Sequence, residues 1–171
     1  MNAELGRAHA TLCRGADFLP SWLRGLPEPK LGHARRSRVI GNGLRELDRF
    51  LSVLLDAASA ERGLATDTAQ YNTANKLNDL GPGLGLVRGD DARLRALGRS
   101  RSCLFYCEGV VRRGDTRQAP TMTAGWPAGG TGALLVVPIG DQLDVLAADL
   151  DSVRSFYLRL ADEIVDGLAQ A

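Results

Sequence analysis

An arginine on the apolar stripe of a predicted helix is the residue of this chain that is best suited to chemistry. The intervals of three and four residues place five positions on one helix face: Leu94, Leu97, Arg101, Leu104 and Glu108. An arginine that is buried there without a partner strongly destabilises a fold, so its charge must be compensated.

Three arrangements can compensate the charge of Arg101. The first is an ion pair within the chain, with Asp48, Asp79 or an acid of the last helix. In the second, the guanidinium reaches water at the margin of the stripe. In the third, the helix face is a cleft or a dimer seam, where the guanidinium binds a phosphate with two parallel hydrogen bonds.

The charges are unevenly distributed along a chain whose net charge is only +1. Residues 93–117 hold seven arginines and two acids, a net charge of +5, whereas residues 141–171 hold seven acids and two arginines, a net charge of −5. Either the two segments neutralise each other across a helical bundle, or the basic segment faces a phosphate-bearing partner. In the second case Arg99, Arg112 and Arg113 are the candidate ligand-binding residues.

Several kinds of catalytic site are not expected. His9 and His33 have no second histidine or carboxylate at ligand spacing, so a histidine-based zinc site is not predicted. Cys103 and Cys107 share a helix face and are interpreted as small apolar residues of an interface. The glycine-rich residues 81–89 lack the Gly-Lys-Ser/Thr ending of a phosphate loop, and nucleophile-elbow and dinucleotide-binding motifs are also lacking. We predict neither a metal nor a cofactor.

Size and composition indicate one soluble globular domain. The chain has 171 residues, of which 44% are apolar, and no apolar run reaches the roughly 20 residues that cross a bilayer. We therefore expect no membrane partner. Three cysteines, an odd number, and the lack of a secretory signal pattern favour a reducing cytoplasm.

The N-terminal segment, residues 1–31, is predicted to be an appendage of the main domain, residues 32–171. A short helix over residues 3–14 is followed by a proline-rich connector, "ADFLPSWLRGLPEPKLG". The apolar side chains around Trp22 pack either onto the bundle or onto a partner protein.

The apolar periods of the remaining chain predict four helices. The first begins within residues 32–44 and ends near Arg62, and the second runs from Thr66 or Asp67 to about Leu80. The third begins at Asp90 or Asp91 and ends near Cys107 or Val111. The last helix is capped by Asp149 or Asp151.

Between the third and last helices we predict a flexible loop over residues 112–132 and a β-hairpin over residues 133–146. In that hairpin a strand at Leu134–Val137 and one at Leu143–Val145 meet at a turn of Gly140 and Asp141. The predicted fold is mainly α, an up-and-down bundle of about four helices with a short β-hairpin inserted before the last helix.

The segment "LRALGRSRSCLFY" resembles the signature helix of the HEPN family, small α-helical domains found in many prokaryotic ribonuclease toxins. Arg101 and Ser102 match the arginine and small polar residue of that signature, and Tyr106 stands where the family has a histidine. The resemblance covers roughly residues 43–170, mostly at the level of architecture. It implies a homodimer in which two such helices face each other.

The same resemblance implies metal-independent RNA cleavage, in which the ribose 2′-hydroxyl attacks the adjacent phosphate. Histidine would supply the acid or base and arginine would stabilise the charge on the phosphate. Tyr106 has a reference pKa near ~10, which makes it a poor base. It also lies about 140° around the helix from Arg101.

We therefore predict a HEPN-like binding or regulatory module without catalytic activity, with RNA or a nucleotide at a basic cleft or dimer seam. One alternative is a metal-independent ribonuclease of the toxin type, in which Arg101 holds the phosphate and Tyr106 or Ser102 assists. The other is a structural protein–protein interaction domain that binds no ligand.

Overall fold

The structure, a computed structural model, describes residues 2–25, 32–64, 72–86, 89–129 and 132–169. Within these ranges the chain is mainly helical and has one two-stranded antiparallel hairpin before its last helix, which confirms the predicted fold class. The elements are α1 (Ala3–Arg24), α2 (His33–Arg62), α3 (Thr73–Leu80), α4 (Asp90–Tyr106), β1 (Thr121–Pro127), β2 (Leu134–Pro138) and α5 (Ala147–Ala169).

Helix α1 is longer than the predicted helix over residues 3–14. The Asn2 side chain accepts a hydrogen bond from the Leu5 N–H at 2.8 Å and caps the first turn. The helix then continues through Pro20, because the apolar stripe does not stop before it: Leu12, Ala16 and Leu19 are all buried. The start of the predicted connector is therefore helical, and α1 packs against both α2 and α5. Residues 26–31 of that connector lie outside the described residues.

Helices α2 and α3 begin and end at recognisable signals. Gly63 ends α2 in the left-handed conformation, φ +66°, as its position after the last apolar residue predicts. The Asn72 side chain caps α3 by accepting from the Ala74 N–H at 2.9 Å. The predicted cap at Thr66 or Asp67 lies outside the described residues. A 3₁₀ turn, Gly81–Leu84, follows α3.

Helices α2 and α4 cross in close contact at Gly41. A Cβ atom at this position would lie only 2.9 Å from the backbone N of Phe105 and 3.1 Å from the carbonyl oxygen of Arg101. The absence of a side chain allows the two backbones to approach. Apolar side chains of α1, α2, α4, α5 and the hairpin fill the common core, with Trp126 and Tyr157 among the largest fully buried residues.

The hairpin is real, but one of its two predicted strands is wrong. Residues 134–138 form β2, which pairs antiparallel with β1, Thr121–Pro127, so that Met122 faces Val137. Strand β1 lies in the segment predicted to be a flexible loop. Its Gly125 contacts α4 so closely that a Cβ would collide with Leu97, which explains a glycine inside a strand.

The predicted second strand, Leu143–Val145, forms no strand. Leu143 and Val145 are buried, and Gln142 makes a single isolated bridge with Val110. The alternation of apolar residues therefore indicated burial at this position, and no strand pairing.

No helix in the described part of the chain is long and apolar enough to cross a membrane.

Candidate functional site

A groove of about 590 Å³ lies between the C-terminal half of α4 and the loop that leads into β1. We call it the α4 groove. It gathers five of the six residues that the sequence analysis selected: Arg99, Ser102, Tyr106, Arg112 and Arg113. The other lining residues are Gly98, Cys103, Cys107, Gly114, Asp115 and Met122. Arg101 does not line the groove.

Helix geometry explains which residues of α4 reach the groove. Arg99, Ser102 and Tyr106 follow one another at intervals of three and four residues, so they share one face. Arg101 lies about 100° around the helix from Ser102, and its side chain points away from the groove. The resemblance placed Arg101 and Ser102 in one site, and the helix separates them.

Arg101 forms an ion pair with α2. Its Nη1 lies 3.0 Å from Oδ2 of Asp48, and each of the two side chains is 31% exposed. This is one of the intramolecular pairs that the sequence analysis considered. The charges of Asp48 and Arg101 also act on the fully buried Tyr157, whose pKa is raised by burial and then by the Asp48 carboxylate. Tyr157 therefore stays protonated.

Arg99 is held by Asp115 at the edge of the groove. Its Nε forms an ion pair with Oδ1 of Asp115 at 2.8 Å, and the same oxygen accepts a hydrogen bond from the Thr123 N–H at 2.7 Å. Burial alone would raise the pKa of Asp115, but the two hydrogen bonds from Thr123 and the guanidinium of Arg99 outweigh it, so this pKa is lowered. Arg99 thus anchors the loop to α4, and its charge is largely compensated.

Arg112 and Arg113 are both exposed. Within the described ranges neither guanidinium has an ion pair or a hydrogen bond with another side chain or the backbone. They are the uncompensated cations of the groove. Because arginine is always protonated and binds phosphate oxygens in pairs, two free guanidinium groups are suited to a phosphate-bearing ligand.

Tyr106 and Ser102 differ in what they offer to a ligand. Tyr106 is 76% exposed, which leaves its ring accessible to solvent, and the ring packs edge to face with Phe105 with centroids 4.9 Å apart. The Ser102 hydroxyl donates to the Gly98 carbonyl oxygen at 3.0 Å within α4. Tyr106 can stack on a flat ring, whereas Ser102 is already bonded.

Cys103 of α4 and Cys107, the residue that follows the helix, form part of the groove wall, which their spacing alone did not reveal. Cys103 is buried, and burial together with the neighbouring Cys107 raises its pKa to about 11. The Cys103 sulfur is therefore a thiol near neutral pH and a weak nucleophile. Asp115 and Met122 also reach the groove, and no local motif marks either of them as a site residue.

Neither histidine lines the groove. His33, at the start of α2, contacts the side chains of Gln142 and Ser37. His9 lies on α1 beside Asp162 of α5. The α4 groove thus combines free cations and an open aromatic ring, without a histidine to transfer protons.

Comparison with protein-family models, curated proteins and solved structures gives no match to this chain.

Proposed function

We propose that the α4 groove binds single-stranded RNA and that the chain acts as a non-catalytic binding module. One observation carries the proposal: the unpaired Arg112 and Arg113 line the same groove as the exposed ring of Tyr106. Proteins that bind single strands combine cations along the backbone with aromatic rings on which bases stack. A base in a duplex is not open to such stacking, so the single strand is the expected form.

The groove lacks the residues that the ribonuclease alternative requires. Its lining residues include no histidine, and Arg101 is held by Asp48 outside the groove. Tyr106 is a phenol and replaces the histidine that would act as acid or base near neutral pH. Binding without cleavage is therefore the function that the groove supports best.

The HEPN resemblance and the homodimer stay predictions. A dimer seam that used the Arg101 guanidinium for a phosphate would first have to separate it from Asp48. The structural alternative, with no ligand, is consistent with the Arg101–Asp48 pair but assigns no role to the free arginines beside Tyr106.

The test is the anisotropy of labelled single-stranded RNA titrated with the full chain in EDTA, at several salt concentrations. We expect Arg112→Ala combined with Arg113→Ala to lower the slope of log affinity against log salt by about 1.4, which corresponds to two lost phosphate contacts. Tyr106→Ala should cost about 1–3 kcal/mol of binding free energy and leave the slope unchanged.

Arg117→Ala is the matched control, because Arg117 is exposed in the same loop but does not line the groove. Equal losses for Arg117→Ala and for the groove variants would overturn the proposal, as would equal affinity for a duplex of the same sequence. Cleavage that persists in EDTA and disappears in Arg101→Ala would establish the ribonuclease instead. Full competition by a mononucleotide would point to a nucleotide ligand.

A further inference from the structure

His9, Cys13 and Asp162 bring three potential metal ligands together where α1 meets α5. His9 and Cys13 lie four residues apart on α1 and therefore share a face, and Asp162 lies on α5. One ligand atom from each of the three lies within 4.8 Å of the others. The cluster shares no residue with the α4 groove.

Two of the three distances between these atoms are close to those in a zinc site. His9 Nε2 lies 2.9 Å from Asp162 Oδ1 and 3.7 Å from Cys13 Sγ. In a tetrahedral site with ordinary Zn–N, Zn–O and Zn–S bonds, nitrogen and oxygen would be about 3.3 Å apart, and nitrogen and sulfur about 3.6 Å apart. The sulfur also lies 4.0 Å from Nδ1 and is thus nearly equidistant from the two ring nitrogens, so an ion held by Nε2 requires a rotation of the Cys13 side chain as well as small shifts of His9 and Asp162.

The same geometry argues against a catalytic relay of cysteine, histidine and aspartate. In such a relay the acid and the nucleophile contact opposite nitrogens of the imidazole ring. Here His9 Nε2 faces Asp162, whereas the Cys13 sulfur lies nearly equidistant from the two ring nitrogens, 3.7 Å from Nε2 and 4.0 Å from Nδ1, and therefore does not occupy the nitrogen opposite the acid. The three groups still converge within 4.8 Å of one another, which is suited to chelation.

The charge of Asp162 favours a cation at this point. The Asp162 carboxylate contacts His9 and has no arginine or lysine partner among the described residues. A bound divalent cation would offset this charge and stabilise the Cys13 thiolate. Asp17 is held by Arg154, with 2.6 Å between Arg154 Nε and Asp17 Oδ1, so it does not supply a fourth ligand.

We propose that His9, Cys13 and Asp162 bind one Zn²⁺ ion, with water as the fourth ligand. Thiolate, imidazole and carboxylate together suit zinc better than the hard cations calcium and magnesium. The Asp162 side chain is 64% exposed, which leaves solvent access to the fourth position. The ion would link α1 to α5, and the site is independent of RNA binding.

The test titrates the chelator-stripped full chain with Zn²⁺ against a chromophoric chelator, and with Co²⁺ for its thiolate charge-transfer absorption. We expect one ion per chain. Cys13→Ser should abolish the cobalt absorption band and weaken zinc binding by about tenfold or more. Asp162→Asn, at an exposed position that leaves folding intact, should weaken binding while the absorption band remains.

Cys107→Ser is the control, because Cys107 is a half-buried thiol of the α4 groove. It should change neither the zinc affinity nor the cobalt band. Absence of binding by the folded chain would overturn the proposal. So would a cobalt band that survives Cys13→Ser, or zinc binding that is insensitive to Asp162→Asn.

Discussion

Arg101 and Asp48 illustrate how a charge is accommodated on an apolar helix face. The pair joins α4 to α2, and both side chains keep about a third of their surface in water (31% each). A fully buried pair costs about 3–5 kcal/mol when one partner is removed, whereas an exposed pair contributes about 0–1 kcal/mol. The contribution of this pair should lie between these limits.

We predict that Arg101→Ala lowers the free energy of unfolding by about 1–2 kcal/mol, because it leaves the Asp48 carboxylate without its partner. Urea denaturation of both single variants and the double variant would isolate the coupling between the two side chains. Arg38→Ala, which breaks the more exposed pair with Glu108, should cost less. A double variant whose loss equals the sum of the single losses would show that the pair contributes nothing.

At the scale of elements, the position of α4 depends on its crossing with α2. Gly41 allows the backbones of the two helices to touch, and Arg101 lies at the same crossing. Gly98, on the other hand, lies inside α4 with no neighbouring atom within 4 Å of a Cβ placed there. The two glycines therefore have different structural roles although both are inside helices.

We predict opposite effects for alanine at these two glycines. Gly41→Ala should lower the free energy of unfolding by about 1–3 kcal/mol, because its methyl group collides with backbone atoms that cannot rotate away. Gly98→Ala should raise it by up to about 1 kcal/mol through helix propensity. Urea midpoints measure both changes. Stabilisation by Gly41→Ala would contradict the close crossing.

At the scale of the whole molecule, the charged segments do not neutralise each other by direct pairing. Two acids of α5 contact α1, Asp151 with Arg24 at 2.8 Å and Asp162 with His9, whereas Glu163 pairs with Arg159 of α5 itself. Across the described ranges no ion pair joins residues 93–117 to residues 141–171. The basic segment therefore keeps its unpaired charge at the surface, where Arg112 and Arg113 lie.

Helix α1 covers the core on the side of α2 and α5. Its buried residues include Leu5, Leu12 and Leu19, which belong to the same apolar cluster as the later helices. We predict that removal of residues 1–31 abolishes cooperative thermal unfolding and exposes apolar surface to a hydrophobic dye, because the stripe that α1 covers would face water. Addition of a peptide of residues 1–25 should restore part of the transition. A truncated chain that unfolds cooperatively and binds no dye would contradict this prediction.

The sequence by itself determined α2, α4 and α5, because their signals are local, but it did not predict the second half of α1. Apolar periods and the glycine after Arg62 predict α2, and the same reasoning predicts α4 and α5 within a few residues. The run of arginines in residues 93–117 did not reveal which of them are paired, because Arg95, Arg99 and Arg101 each contact an acid. The backbone hydrogen bonds of an α-helix join residues four positions apart, so a short window of sequence is sufficient to predict a helix.

Only the tertiary structure decided what lies beyond such a window. Strand β1 finds its partner across a glycine-rich segment, and Arg101 finds Asp48 at a separation of 53 residues. His9 meets Asp162 at a separation of 153 residues, which no local spacing could reveal. Each of these contacts depends on how the elements pack. Packing brings together residues that are far apart in the sequence, and no periodic pattern of the sequence links such residues.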